Sequence, residues 1–572
     1  MKSISFRLAM LLIATLSIPS AGSAQYFTSG GLGYQVLSAE DHTVEVTVGD
    51  CFSYYQGNIS IPPTVEYNGV TYDVVALGEE AFYRASLTGI TIPSSVTEIK
   101  GSCFLFASLP ATIAIPASVS NIGPLAFAAN NLTSINVDEA SPYFRTIDGM
   151  LLSKDTATLV ECPIGKSGTV TLPQGTRHIS KYAFAYCHNI TGIVLPEGLY
   201  SIGFWAFVDN RSLNNVVIPA SVTHIASGPF VACPALNSLS IAAGNTHYYM
   251  DGMMIYSAGG DTLVSAHKSA DSVYLPGTLR FVDGFGGNSD IRYVHVPEGV
   301  ATIGTEAFNG STLESIDLPS QMELIDEYAF YGCASLSRVG MPSVLNRIGE
   351  GCFNQCSNLE SIDIPNGLHT IPNGTFFFCT SLSHISWGDA VETIGEFAFG
   401  DCAFTELQLP ATLRTVKQGA FVGEYGSRLR RVEFTAPVDT IEQEAFYRHN
   451  LQSIRLKNSL PPITDAEYGC LYMTSVDSII IPCGSIDNYL NDSYWGQFTD
   501  KYHEDCNGIG DICTTDIMVY SQEGRIVVKG AGNEKIMVFD IAGRPVENRA
   551  LRTGIYLVQV GDRPARKVAV IR

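Results

Sequence analysis

Residues 313–342 read LESIDLPSQMELIDEYAFYGCASLSRVGMP and hold one full repeat with the start of the next. Over its first six residues apolar and polar positions alternate, which sends Ile316 and Leu318 to one face of a short strand and Ser315 and Asp317 to the other. Pro319 cannot donate a ladder hydrogen bond, so it ends the strand and turns the chain. A second apolar pair then forms the opposite wall, as Val300 and Ile303 do one repeat earlier. After it a small residue and a Phe, here Ala329 and Phe330, plug the interior.

The Phe column carries this register along most of the chain. Phe82, Phe104 and Phe127 lie 22 and 23 residues apart, and Phe184, Phe207 and Phe230 follow at 23 and 23. Phe285, Phe308, Phe330, Phe353, Phe376, Phe399 and Phe421 then recur at 22 or 23, with Phe446 after 25. A period of 20–29 residues with an L-x-x-I-x-I pattern belongs to leucine-rich-repeat solenoids. The fold class is therefore a β-rich repeat solenoid with few short helices. One repeat cannot fold alone: five large apolar side chains bury roughly 10 kcal/mol. Ordering its residues costs about three times that. Stacked neighbours must supply the rest through shared interfaces and ladders.

Two long coils interrupt the period. SPYFRTIDGMLLSKDTATLVECP lies between Phe127 and Phe184, and NTHYYMDGMMIYSAGGDTLVSAH lies between Phe230 and Phe285, so these Phe spacings widen to 57 and 55. Each places Asp-Gly (Asp148-Gly149, Asp251-Gly252) between extended apolar stretches, a hairpin signal. The expected organisation is a leader at 1–24, an N-terminal cap at 25–55 and a solenoid at 56–456, with hairpin-bearing coils near 138–172 and 242–275. A C-terminal cap at 457–505, a linker at 506–515 and a small β-sandwich at 516–572 complete it.

The leader rests on Lys2 and Arg7, the apolar run from Leu8 to Ile18, and the small residues Ala21 to Ala24, the three parts of a secretory signal. No cysteine ends it, so a lipid anchor is not expected, and no other stretch is long enough to span a bilayer. The sandwich rests on the short alternating phrases RIVVKGAG, KIMVFDIAGRPV and GIYLVQVG with Gly-rich turns. This tail carries +4, whereas the whole chain carries −22. Such an acidic balance repels nucleic acid and anionic membranes. With 46% hydrophobic and 16% charged residues, the composition is that of an ordered chain.

The I-P, A-F-x-x-C and L-x-x-I-x-I phrases, both long coils and the closing LPPITDAEYG…IIIPCGSIDNYLNDSYWGQF resemble the BspA-type leucine-rich-repeat proteins, bacterial surface and secreted proteins common in Bacteroidetes. The resemblance spans about 56–500 and implies adhesion to host proteins or other bacteria. The last 57 residues resemble type IX secretion sorting domains through Phe539, Asp540, Gly543, Arg544, Gly554, Ile555, Tyr556 and the final stretch from Lys567 to Arg572. That likeness implies a tail that is cleaved or anchored after export.

Catalytic signatures are absent: there is no H-E-x-x-H, G-x-S-x-G, G-x-x-x-x-G-K or paired C-x-x-C. The eleven histidines show no metal-ligand spacing. DGFGGNSD at 283–290 falls on a Phe-column repeat and reads as a degenerate turn, and DCNGIGDICTTD from Asp505 reads as linker because Ile509 occupies a calcium-ligand position. No catalytic residue, metal or cofactor is expected. Of fourteen cysteines, Cys187, Cys233, Cys333, Cys356, Cys379 and Cys402 stand three residues after the Phe, as a ladder of small buried residues. Cys470 with Cys483, and Cys506 with Cys513, are the better disulfide candidates.

The outward strand column is the expected binding face. It runs Tyr293, His295, Ser315, Asp317, Arg338, Ser361, Asp363, His384, Glu406, Gln408, Arg431 and Glu433. The two hairpins are a second candidate surface. The expected protein is a monomeric, exported, non-catalytic binder of a protein or glycan on a host or neighbouring bacterial surface; a structural surface component without a ligand is the alternative.

Overall fold

The computed structural model describes residues 25–48, 54–267, 270–423, 428–506 and 518–570, apart from short stretches at 523–524, 530–534, 542, 549–550, 553 and 561–565. The expected leader and nearly all of the expected linker lie outside the described residues. The chain divides into two compact units: residues up to 368 together with 374–386, and residues 369–373 together with 387 onward. Both are β-solenoids of the leucine-rich-repeat type.

In the first unit a meander of Tyr26–Ser29, Leu32–Ser38 and Thr43–Thr47 joins the coils by parallel pairing of its last strand with Val70–Leu77. Each ordinary coil then has three walls. The first is the strand wall, where Tyr293–His295, Ser315–Asp317 and Arg338–Gly340 stack in parallel with Val294, Ile316 and Val339 in register and buried. The second is made of two-residue strands such as Thr302–Ile303, Leu324–Ile325 and Arg347–Ile348, also parallel.

The third wall is the Phe turn. Its Phe N–H donates to the carbonyl of the residue before the next Phe, as Phe308 does to Ala329 at 2.7 Å and Phe330 to Cys352 at 2.8 Å. To make this turn the backbone enters the left-handed region two residues before and two after the Phe, at Glu306 and Gly310, Tyr328 and Gly332, Gly351 and Gln355. Inside, the rings stack. Phe285, Phe308, Phe330 and Phe353 succeed one another at 5.1, 5.2 and 5.2 Å with planes within 4° of parallel.

The two long coils form antiparallel meanders. Phe144–Ile147, Met150–Ser153 and Thr158–Glu161 form one, and Tyr248–Asp251, Met254–Ser257 and Thr262–Ala266 the other. The last strand of each rejoins the parallel second wall, against His178–Ile179 and Phe281–Val282 respectively. Neither rejoining strand is followed by a Phe turn. Gly284 marks the tightest consequence: a Cβ there would lie 2.3 Å from the Val264 carbonyl oxygen, on the returning strand. The Gly-rich 283–290 stretch is thus a turn squeezed against the second long coil, with Phe285 in the ring stack.

In the second unit the Phe stack runs Phe399, Phe421, Phe446 at 5.5 and 5.4 Å. The strand wall passes through Glu406–Leu409, Arg431–Phe434, Ser453–Arg455 and Ile479–Pro482 to Tyr502–Asp505. The short helix Ile486–Leu490 and the 3-10 turn Trp495–Phe498 bury Tyr489 and Trp495 over the last coil. The tail holds two antiparallel sheets, Met518–Gln522 with Arg525–Lys529, and Ile536–Asp540, Gly554–Val560 and Arg566–Val570. Ile526, Val538, Leu551 and Val558 form its core.

Candidate functional site

Strand alternation puts the expected face residues where a partner could reach them. Tyr293, His295, Asp317, Arg338, Ser361, Asp363 and His384 of the first unit are exposed, with Ser315 half-buried. In the second unit Glu406, Gln408 and Arg431 are exposed and Glu433 is half-buried. Much of the charge on this wall is paired between neighbouring coils. Arg338 approaches Asp317 at 4.0 Å, Arg431 bonds Glu406, and Arg455 lies 3.8 Å from Glu433 and 2.5 Å from Asp505.

The aromatic end of the face differs. Tyr274, in Ser272–Tyr274, is 77% exposed and stacks on His295 with ring centres 4.0 Å apart and planes within 9°. Tyr293 beside it is 41% exposed and donates its hydroxyl to Glu314 at 2.9 Å, while Arg292 bonds the same carboxylate. These bonds hold the Glu314 carboxyl below its ordinary range. Tyr274 is absent from the face expected from sequence. Its signal was available, since Tyr274 stands two residues before Pro276 just as His295 stands two before Pro297.

The cysteine column has a chemical role. Cys233, Cys333, Cys356 and Cys379 are buried, and each thiol points at the carbonyl of the preceding coil's Phe, at 3.0, 3.0, 3.2 and 3.1 Å. Asn210 donates its amide to Phe184 O at 2.7 Å, and His449 contacts Phe421 O from the same position. Several positions of the column thus place a side-chain donor on the preceding Phe carbonyl, whereas the buried Ala85 and Ala107, three residues after Phe82 and Phe104, do without one. Burial pushes the Cys233 thiol up to about 12 and raises Cys356 and Cys379 as well, which keeps them protonated and poor nucleophiles.

The disulfide pairing expected from sequence is corrected. Cys483 is joined to Cys506, and Cys470 is a free thiol buried beside the last Phe turn. The cause is register: Ile479–Pro482 pairs in parallel with Tyr502–Asp505, and Cys483 and Cys506 follow the paired ends Pro482 and Asp505. Cys513 lies outside the described residues. Cys483, Glu504 and Cys506 converge closely enough to suggest metal ligands. The disulfide takes both thiolates, and Glu504 accepts the N–H groups of Gly484 and Ile486 at 2.8 and 3.1 Å.

Glu161 is a buried acid with a structural task. It is 4% exposed and accepts the Phe127 N–H, at 3.1 and 3.3 Å to its two oxygens. Elsewhere that N–H would meet the carbonyl of the next Phe turn, which the first long coil does not supply. Burial drives the Glu161 carboxyl up to about 8 against the opposing pull of this hydrogen bond.

The repeat geometry agrees with family comparison. The model for the BspA type leucine rich repeat region matches residues 58–153, 164–256, 283–402 and 369–495, in six copies. The chain belongs to the BspA-type leucine-rich-repeat family. Among solved structures it is similar to a leucine rich cell surface protein from Faecalibacterium prausnitzii A2-165, at 25% identity over 64% of this chain and 96% of that one, with a TM-score of 0.36. A leucine-rich-repeat protein from Bacteroides ovatus ATCC 8483 is 23% identical over 79% and 98%, with a TM-score of 0.37. The pneumococcal vaccine antigen PcpA is 19% identical over 73% and 94%, with a TM-score of 0.34. No curated protein matches the chain. Among the described residues, no helix is long and apolar enough to cross a membrane.

Proposed function

We propose that the chain is an exported, non-catalytic recognition protein that binds a protein or glycan of a host or neighbouring bacterial surface through its strand wall. The observation that carries this reading is the exposed aromatic group Tyr274, His295 and Tyr293 on a rigid parallel sheet. Aromatic side chains dominate binding hot spots, and rings already ordered by stacking lose little entropy on contact. Membership of the BspA-type family supports surface exposure. The basic tail, with its likeness to sorting domains, serves in this reading to export or anchor the repeats.

A matrix-protein and glycan array probed with the full chain tests the proposal. Saturable binding that falls at least tenfold in a Tyr274→Ser, Tyr293→Ser, His295→Ala variant is the expected result; binding untouched by these changes, or none at all, refutes it. The mutually paired charges along the rest of the wall favour a second reading, a scaffold without a specific ligand. That reading predicts no loss of cell-surface phenotype when the outward polar residues are scrambled.

A further inference from the structure

The Phe-turn wall of the first unit carries a cleft of about 420 Å³ beside the second long coil. Its origin is the omitted turn. Strand Thr262–Ala266 passes between the Phe230 and Phe285 turns, taking the Gly228 N–H on Val264 O at 3.2 Å and giving the Ala266 N–H to Gly284 O at 2.8 Å. Being a flat strand, it leaves a gap where an ordinary coil would present a protruding turn. At the first long coil the rings of Phe106 and Tyr186 meet at 5.8 Å from turns on either side of the omission. At the second, Gly286 and Gly287 bring the Phe285 turn against Trp205 and Val231, and the space beside them is lined by Tyr182, Phe204 and Phe281 together with Asp283 and Glu306.

Those two acids are 8% and 7% exposed. Asp283 accepts Ser227 O–H and Gly284 N–H on Oδ1, and Glu306 accepts the Asn309 amide on Oε2 at 3.1 Å. Asp283 Oδ2 and Glu306 Oε1 have no hydrogen-bond partner among the described residues, although both side chains line the cleft. Burial, with each acid's like-charged neighbours adding to it, holds both carboxyls at about 7. Asp326 also lines the cleft but is satisfied by Thr305 O–H at 3.1 Å and Glu327 N–H at 3.0 Å. Lys181 is the lone cation of the lining, exposed and without an ion pair among the described residues.

Two deeply buried carboxylates with free oxygens stand beside three aromatic rings, and the one cation of the lining, the exposed Lys181, forms no ion pair with either of them. An anion would be repelled, while a cation would meet both the carboxylates and the electron-rich ring faces. We propose that this cleft receives an alkylammonium or guanidinium head on an aliphatic stem, the head against Asp283 and Glu306 and the stem along Tyr182, Phe204 and Phe281. The shared chemistry covers a basic side chain of a polypeptide and a free amine. The site lies on a different wall from the aromatic strand face and does not depend on it.

Calorimetric titration of the full chain tests this with Nα-acetyl-lysine methylamide, 1,5-diaminopentane, uncharged Nα-acetyl-norleucine methylamide and methyl glucoside. At pH 8, saturable one-site binding of a cationic probe is expected, with no binding of the two neutral ones. Diaminopentane alone would assign the cleft to free amines, and binding of both cations would extend it to polypeptide side chains; either outcome supports the cationic guest. Glu306→Gln and Asp283→Asn should each weaken binding at least tenfold, with melting temperature no lower than wild type. Wild type itself should bind at least tenfold more weakly at pH 5.5, where both carboxyls are protonated. Absence of saturable binding by either cation at pH 8, equal binding of norleucine amide or glucoside, or pH-independent affinity overturns the proposal.

Discussion

Replacing Glu161 by Gln should flatten part of the pH dependence of stability. The unfolded carboxyl titrates near 4.5, whereas the folded one holds its proton to about 8. Between those values the unfolded chain binds fewer protons than the folded one, so stability falls as pH rises. Integrated to pH 7, the loss is about 3 kcal/mol. For a chain of this size melting as one unit, that corresponds to a melting-temperature change of about 3 °C. Gln is neutral throughout and its oxygen can still accept the Phe127 N–H, but its amide adds a buried donor costing about 1 to 2 kcal/mol. The Glu161→Gln variant should therefore be the less stable form at pH 4.5 and the more stable at pH 8, the two melting curves crossing between about pH 5 and 6. Thermal melts from pH 4.5 to 8.5 measure this, and the difference between the two proteins cancels the titration of Asp283 and Glu306. Parallel profiles would show that the Glu161 carboxyl does not carry the proton in the folded state, and the account of the omitted turn would fail with it.

Three further outcomes are expected. Non-reduced peptide mapping should link Cys483 to Cys506, and the link should survive Cys470→Ala. Removing it by Cys483→Ser should cost about 3 kcal/mol for a 23-residue separation, read from urea unfolding of the buried Trp495. Cys356→Ala should cost about 1 kcal/mol, because it removes the thiol's bond to the Phe330 carbonyl and leaves that oxygen only the Cys333 N–H, and Cys356→Ser should recover part of that loss; equal melting of the two would remove the donor role. Ala232, with φ of 54°, should tolerate Gly with a change between zero and about +1 kcal/mol. Ala183→Gly, at a fully buried position outside the left-handed region, should instead lose about 1 kcal/mol, so equal losses at the two sites would deny that the turn stores strain.

The Phe register was legible because each coil must bury one ring at the same place, and a ring cannot be swapped for a polar group there. The donor column three residues later was legible only in part. It holds Cys, Asn or His where a side chain bonds the preceding Phe carbonyl and Ala at the first two coils, so composition hides the hydrogen bonding that several coils share. Local sequence distance is a poor guide to the disulfide. Cys483 and Cys506 are 23 residues apart, one repeat period, and in a parallel stack that separation places residues side by side. The Asp-Gly signals pointed to the meanders. The cleft beside Phe285 was not readable, because it follows from a turn that the second long coil omits, and an omission leaves no motif.

The buried thiols give the molecule internal clocks at several of its coils. Ten described cysteines lie outside the disulfide, nine of them buried, and Cys233, Cys333, Cys356 and Cys379 are sealed against the carbonyl of an adjacent coil. A thiol of this kind reacts with an alkylating reagent only while its own coil is open, so its labelling rate reports the local opening free energy at that position. Followed by mass spectrometry from Cys103 to Cys470, one experiment would trace how cooperativity decays along a one-dimensional protein, with no mutation and no added probe.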